Sequence, residues 1–295
     1  MPPRHSIIGI VERKSLQKKT LARMESLPSL GSVVKEFLAV ARREYFTASD
    51  FEKVIRKDQA LVARLLKVAN SSFFAGGRSI STIHDAVVLI GMDNMKNMVY
   101  AVSSSGLLRR EMDCYDYPGR GFWTHAMAVA ITSRKLAEAM KQPPLLGEEA
   151  FVAGLLHDIG KLVLDELFDP IPGRRPICRE EEEEVSGFEH PELARHVLQR
   201  WKLPEHIIQA VRYHHDPWNR GKSHPAAVLV HLSDQLCNQW GLGRRNLEDL
   251  GREVDVQDYR KEMRSLGFER ESFLRLLWQL RQDLQDLDHL YAGGL

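Results

Sequence analysis

Residues 151–164 read FVAGLLHDIGKLVL, an apolar stretch with three ionisable groups, His157, Asp158 and Lys161, in its middle. Four more histidines and one more aspartate recur in similar settings. His125 lies in FWTHAMAVA, His190 opens HPELARHVL, His214 and His215 close VRYHH, and Asp234 lies in VHLSDQL. Taken singly, a buried histidine reads as a hydrogen-bonded core residue. Taken together, these polar groups each cost roughly a few kcal/mol to bury unless each is paired. Two arrangements would pair them: mutual hydrogen bonding in a core, or a shared metal cluster. Imidazole and carboxylate donors suit Fe, Mn, Zn or Co. Seven donors are too many for one ordinary site and suit two metals if one carboxylate bridges. On a helix, Lys161 falls three residues after Asp158 and four after His157, and so shares their face.

The elements that must position these residues all have helical period. In SVVKEFLAVARREYF, Val33, Val34, Phe37, Leu38 and Ala41 recur at three- and four-residue steps. TASDFEKVIRKDQALVARLLKVAN starts on N-cap residues and carries two stripes, Phe51, Val54 and Ile55, then Leu61, Leu65, Leu66 and Val68. The segment with Gly76-Gly77 interrupts, and Gly91 divides two further helices in HDAVVLIGMDNMKNMVYAV. Turn formers in EMDCYDYPGRGF, residues 111–122, mark a lobe boundary. A helix from Trp123 to Met140 follows, ended by Pro143-Pro144, and then one over 149–168, stopping before DPIPGRRP.

The five glutamates Glu180–Glu184 read as a solvated helix start, since carboxylates favour a helix N-terminus. Three more helices follow, with Pro204, Pro217 and Pro225 at their starts and joints. Beyond residue 241 the chain is highly charged and ends in an amphipathic helix with Phe273, Leu276, Leu277, Leu280, Leu284 and Leu287 on one face. That face either packs on the body, the commoner outcome, or meets a partner helix. Asn70-Ser71-Ser72 reads as a helix C-terminus at which Asn tolerates left-handed backbone. Phe73, Phe74 and Trp123 read as core. Strand signals are weak, and the expected fold is all-α, in two helical lobes.

The chain has 295 residues, with 41 Lys+Arg against 40 Asp+Glu, so its charge gives no general reason to bind nucleic acid or membrane. The basic N-terminal residues Arg13, Lys14, Lys18, Lys19 and Arg23 read as a solvated helix face. Cys114, Cys178 and Cys237 are three isolated cysteines, which suits a reducing compartment and excludes a cysteine zinc site. No apolar run approaches the roughly 18–20 residues of a membrane span, and the start has no signal-peptide core. The expectation is a soluble cytoplasmic protein.

The order His, His-Asp, His, His-His, Asp resembles that of the HD-type metallophosphohydrolases, in particular the branch with the HD-GYP phosphodiesterases. The resemblance implies a first metal at His125, His157, Asp158 and Asp234 and a second at His190, His214 and His215, with Asp158 bridging. It matches Lys161 of HDIGK to a lysine that faces substrate phosphate. Two ions about 3.5–4 Å apart would clamp a phosphate and activate water while the lysine offsets developing charge. The match departs from that branch after His214-His215, where HHDPWNRGKSHP has no Gly-Tyr-Pro. Gly121 stands where some relatives place a glutamate for a third metal, so two ions are expected.

The N-terminal half narrows the resemblance to the HDOD family. It rests on SLPSLGSVV, IRKDQALVARLLKVANSSFF and SISTIHDAVVLIGMDNMKNMV, with Asp58, Leu61, Leu65, Leu66, Ala69, Asn70, Ser71, Ile83, Ala86, Leu89 and Gly91 in the matching places. AGLLHDIGKLVL, GFEHPELARHVLQRWKLP and the HH-x-P ending at Pro217 extend it over about residues 25–235.

The family implies a bacterial signalling protein that works with response-regulator or cyclic-dinucleotide modules. Many members lack some metal ligands; this chain has all seven. The expected organisation is a segment 1–24, an HDOD domain 25–235 (N-terminal lobe 25–112, metal-binding lobe 113–240) and an extension 241–295. The favoured function is a regulatory module. It holds two divalent transition metals, Fe or Mn before Zn, and binds other signalling proteins and a phosphate-containing small ligand. The alternative is an active phosphohydrolase, with Lys161 and Asp158 as catalytic residues.

Overall fold

The computed structural model describes residues 10–27, 47–70, 79–140, 144–168, 176–219, 224–244 and 254–285, with Val33, Glu36, Phe37, Val40 and Tyr45. Val34, Leu38, Ala41, Ser71, Ser72, Phe73, Phe74, Gly76, Gly77, Pro143 and Leu287, and the Arg13 side chain, lie outside the described residues. Among the described residues the chain is all-α; its only extended pairing is a single bridge between Met112 and Tyr117. Among the described residues no helix is long and apolar enough to cross a membrane.

Three short helices of the N-terminal lobe carry side-chain N-caps. In α2 (Ala48–Ile55), Thr47 and Asp50 cap each other's backbone N–H groups, which satisfies two donors the first turn leaves open. Asp58 caps α3 (Gln59–Ala69) by accepting from Leu61 N at 2.9 Å. α4 (Ile83–Ile90) and α5 (Met92–Leu108) meet at Gly91, whose φ of 89° lies in the region only glycine adopts freely. Leu61, Leu65, Ile83, Ala86, Met95 and Val99 form the buried seam among these helices. Asn70 does end α3, but with φ at −82°, not left-handed. Its side chain instead clamps the returning chain, donating to Ile80 O at 2.6 Å and accepting from Ile80 N at 2.7 Å.

The second lobe forms around α6 (Gly121–Ala139), which is buried along most of its length. α7 (Pro144–Leu156) and α12 (Pro225–Gln239) pack against it and against each other. α11 (Glu205–Arg212) packs on α7, and α10 (His190–Arg200) packs on α11. The turn-rich segment 111–122 is no loose linker: Met112, Tyr115, Tyr117 and Phe122 are all buried in this lobe.

The helix expected over 149–168 is broken. α7 ends at Leu156, residues 157–160 form a turn, and α8 (Lys161–Leu164) and a short 3-10 turn (Asp165–Leu167) follow. Apolar periodicity continues across the break, which is why the sequence reads as one helix. Gly160, in right-handed backbone at φ −64°, admits the neighbouring helix at this turn: a Cβ there would lie 1.9 Å from His190 O, so only glycine lets α10 start so close.

α1 (Ile10–Ser26) packs on α8, α9 (Arg179–Ser186) and α10, and Arg200 Nη1 donates to Met24 O at 2.8 Å. Lys14, Lys18 and Lys19 face solvent. α13 (Arg260–Leu266) lies on α12, and α14 (Arg270–Gln285) lies on α6. The apolar stripe of α14 buries Phe273, Leu277, Leu280 and Leu284, and Asp283 pairs with Lys135 of α6. The final amphipathic helix therefore packs back on the body.

Candidate metal centre

All seven donors that the sequence pointed to converge at one place in the second lobe. His125 comes from the second turn of α6, His157 and Asp158 from the turn after α7, His190 from the first residue of α10. His214 and His215 follow α11, and Asp234 lies in the middle of α12. His125, His157 and His214 are 0% exposed, His190 1%, Asp158 2% and Asp234 7%. His215 is partly exposed. Neighbouring imidazole rings stand 3.9–5.4 Å apart between centroids, from His125 through His157 and His214 to His190 and His215.

Each deeply buried histidine has one nitrogen committed outward. His125 Nδ1 lies 3.3 Å from Leu242 O, His157 Nδ1 2.7 Å from Gly154 O, and His214 Nδ1 2.6 Å from Val211 O. His190 Nδ1 lies 2.7 Å from Glu182 Oε2. A carbonyl can only accept, so at least the first three rings carry their proton on Nδ1 when neutral and turn a lone pair on Nε2 inward. This outer hydrogen bond is the arrangement that orients histidine as a metal ligand.

The Nε2 atom of His214 has no hydrogen-bond partner although it is buried, and that of His157 faces the carboxylates of Asp158 and Asp234. An orphaned buried nitrogen costs about 1–3 kcal/mol, so one that faces this spot argues for a ligand there. The donors fall into overlapping groups, one of which is His157, His214 and Asp234. Asp158, His190, His214 and His215 offer ligand atoms within 4.8 Å of one another, as do His125, His157 and Asp158. Asp158 belongs to both: Oδ2 lies 3.3 Å from His157 Nε2 and Oδ1 3.1 Å from His190 Nε2. Asp234 Oδ1 completes the first group, 3.1 Å from His125 Nε2 and 3.5 Å from His157 Nε2. His and Asp donors at such spacing fit divalent transition metals.

Without an ion, protons and Lys161 balance the charge. Burial opposes both carboxylates, yet His157 and Lys161 hold Asp158 well below the usual range, and His125 and His157 do the same for Asp234. His157 is held up at about 10, against its burial, by Asp158 and Asp234. Burial and the neighbouring His157 and His190 push His214 well down. Lys161 Nζ lies 2.5 Å from Asp158 Oδ2, so the helix break still delivers the expected contact, through a turn.

Several residues of this centre escaped the sequence reading. Glu182, in the middle of the glutamate run, is 1% exposed rather than solvated. It accepts from His190 N at 2.8 Å, from His190 Nδ1 and from Tyr115 Oη at 2.9 Å. Burial would raise its carboxyl, but His190 keeps it lowered. Asn238 donates to Asp234 Oδ1 at 2.7 Å. His231 Nδ1 holds His214 O at 2.7 Å. Arg244 and Lys161 lie over the ring of Tyr117, 4.4 and 5.9 Å from its centroid. The Tyr117 hydroxyl is buried without a partner and is pushed up to about 12 by that burial. On the His215 side a groove of about 540 Å³ opens to solvent, lined by Arg179, Glu189, Glu192, Arg212, Tyr213 and His215.

Fold and cluster together define a helical protein of the HD-like class, with a buried constellation of histidines and aspartates at the heart of its second lobe. More narrowly, the chain belongs to the HDOD domain family, whose model matches residues 27–217. A crystal structure of an HDOD domain protein of unknown function from Geobacter sulfurreducens is similar, with a TM-score of 0.73 and 22% identity over 96% of this chain and 99% of that one. A Shewanella amazonensis SB2B protein, provisionally named a phosphohydrolase, has a TM-score of 0.66 and 22% identity over 92% and 98% of the two chains. An uncharacterized Treponema pallidum (strain Nichols) protein is 27% identical over 202 residues, which are 66% of this chain and 38% of that protein. The chain thus spans well under half the length of that relative.

Proposed function

We propose that this chain is a bacterial, cytoplasmic signal-transduction module whose second lobe holds two divalent transition metals, with iron or manganese favoured and zinc possible. His125, His157, Asp158 and Asp234 hold the first ion. His190, His214 and His215 hold the second, with Asp158 shared. The observation that carries this reading is the set of inward Nε2 atoms, that of His214 without a partner, around a carboxylate that reaches both groups. The organisation proposed is a segment 1–24, an HDOD domain 25–235 with lobes 25–112 and 113–240, and an extension 241–295.

When bound, such a pair of ions supplies Lewis acidity toward a phosphoryl group and makes water more acidic. The protein's own groups fit a phosphate-containing ligand. Lys161, held against Asp158 Oδ2, and Arg244 both lie over the ring of Tyr117, whose buried hydroxyl is protonated and has no partner. Glu182, Leu242 O, Gly154 O and Val211 O hold the rings in place. Signalling proteins of response-regulator or cyclic-dinucleotide pathways are the proposed partners.

The second reading is an active phosphohydrolase, with Asp158 and Lys161 as catalytic residues; the complete donor set beside Lys161 favours it. Elemental analysis of purified protein tests the metal claim, with about two equivalents expected. Protein that carries no metal, and whose thermal stability chelation leaves unchanged, sinks it. A panel of bis-aryl phosphates and cyclic dinucleotides, run with Fe, Mn or Zn under reducing conditions, separates the readings. Metal-dependent hydrolysis lost in Asp158→Ala supports the enzyme; none across the panel leaves the module.

A further inference from the structure

The surface around α13 has a composition that the fold does not require. Arg260, Lys261 and Arg264 project from this seven-residue helix into solvent, and Arg270 follows at the start of α14. Among the described residues no carboxylate forms an ion pair with any of the four. Two grooves flank the helix and share Arg260 and Arg264. One, of about 470 Å³, has an apolar floor of Val256, Met263 and Phe268 under Arg260, Arg264 and Arg270. The other, of about 380 Å³, is closed by Trp218, with Lys261 Nζ 3.5 Å over its ring.

Unpaired arginines over apolar floor call for an occupant with both apolar and anionic groups. The two grooves make an extended face across a helix, whereas a small molecule needs a concave pocket that buries most of it. Arginine and tryptophan are the residues that anchor protein interfaces, and the guanidinium fork suits carboxylates two oxygens at a time. The exposed Asp255, Asp258, Glu269 and Glu271, which neighbour these cations along the chain, would repel a continuous phosphate backbone. A helix can stagger its side chains past them, setting apolar anchors at i, i+3, i+4 and i+7 into the floor.

This face also touches the supports of the metal centre. Glu262, on the buried side of α13, lies 3.7 Å from His231 Nε2, whose other nitrogen holds His214 O. Trp218 packs edge-on to the same His231, at 5.7 Å between rings. We infer that the Arg260, Lys261, Arg264 and Arg270 face docks an acidic, amphipathic helix of a partner protein. The inference rests on the interaction-module reading and names its surface; it does not need the metals.

A fluorescein-labelled helical peptide, with leucines at i, i+3, i+4 and i+7 and glutamates beside them, probes the full chain by anisotropy. Binding should weaken about tenfold between about 50 and about 300 mM salt, as a charge-led contact does. Replacing the glutamates by glutamine should weaken it by a similar factor, and the Arg260→Glu/Arg264→Glu double variant should lose it, with melting temperature and metal content unchanged. The proposal is overturned if the peptide does not bind, if the variant binds like the wild type, or if an oligonucleotide of equal charge binds more tightly. Binding should persist in Asp158→Ala protein, so a failure of docking and a failure of the metal reading are separate results.

Discussion

Glu182 and His190 form a buried pair, Oε2 to Nδ1 at 2.7 Å, eight residues apart across the joint between α9 and α10. The same carboxylate takes the His190 backbone N–H, so it fixes both the ring and the start of the helix that carries it. His190 Nε2 is left pointing at Asp158 Oδ1 and at His215 Nε2, each 3.1 Å away.

Glu182→Gln should therefore weaken the second metal more than the first. Outer partners of metal-bound histidine are worth about 10- to 100-fold in affinity. Competition with a chromophoric chelator should show one ion released early and one held as in the wild type. Two ions released together at the wild-type chelator concentration would remove Glu182 from this role.

Asp158 and His125 should separate by the metal their variants retain. Asp158 reaches both donor groups, whereas His125 belongs to one. Asp158→Asn should leave close to no bound metal, and His125→Ala about one equivalent. Elemental analysis of both variants, each first shown to melt cooperatively, gives the answer. An Asp158→Asn protein that keeps one full equivalent contradicts the bridge.

Gly160→Ala tests the packing beneath the centre. The added methyl would meet backbone, His190 O at 1.9 Å and Ala194 N at 2.9 Å, and neither atom can swing aside as a side chain does. Overpacking of this kind costs about 1–3 kcal/mol, and the upper end is expected here. Urea unfolding at one pH measures it; a loss below about 0.5 kcal/mol would show that the turn relaxes freely.

The legible part of this protein is the part written in short-range pattern. Helical period placed most helices, the Gly91 break was visible, and His125, His157, Asp158, His190, His214, His215 and Asp234 stood out as polar groups in apolar stripes. The break after Leu156 was hidden because the stripe runs on through Ile159 and Leu162, and the backbone that crowds Gly160, at His190 and Ala194, belongs to another helix. Glu182 was hidden differently. Its neighbours Glu183 and Glu184 are exposed, and nothing in a run of identical residues marks the one that turns inward. Tyr117 and Arg244 meet Lys161 only through the fold, from segments that read as turn and linker.

Glu148 supplies a pH dependence at the seam between the lobes. On α7 it accepts from Asn97 of α5 and lies 4.0 Å from Arg134 of α6. Burial is the main cause that lifts its carboxyl to about 7, against the pull of Arg134, with Asp93 adding to the rise. A carboxyl raised in the folded state binds a proton there that the unfolded chain has already released. Stability is then full below the ordinary value near 4.5 and falls as pH rises toward about 7, beyond which it levels. The fall attributable to this one group is on the order of 3 kcal/mol. Glu148→Gln keeps the shape and can still bond Asn97, but it cannot ionise. The variant should match the wild type near pH 4.5 and be more stable by up to that amount above pH 7. Urea midpoints for the two proteins, taken at matched pH from about 4.5 to about 8, read the difference directly and cancel every other titrating group. A difference that stays flat across this range would mean that Glu148 ionises in the fold as easily as in water.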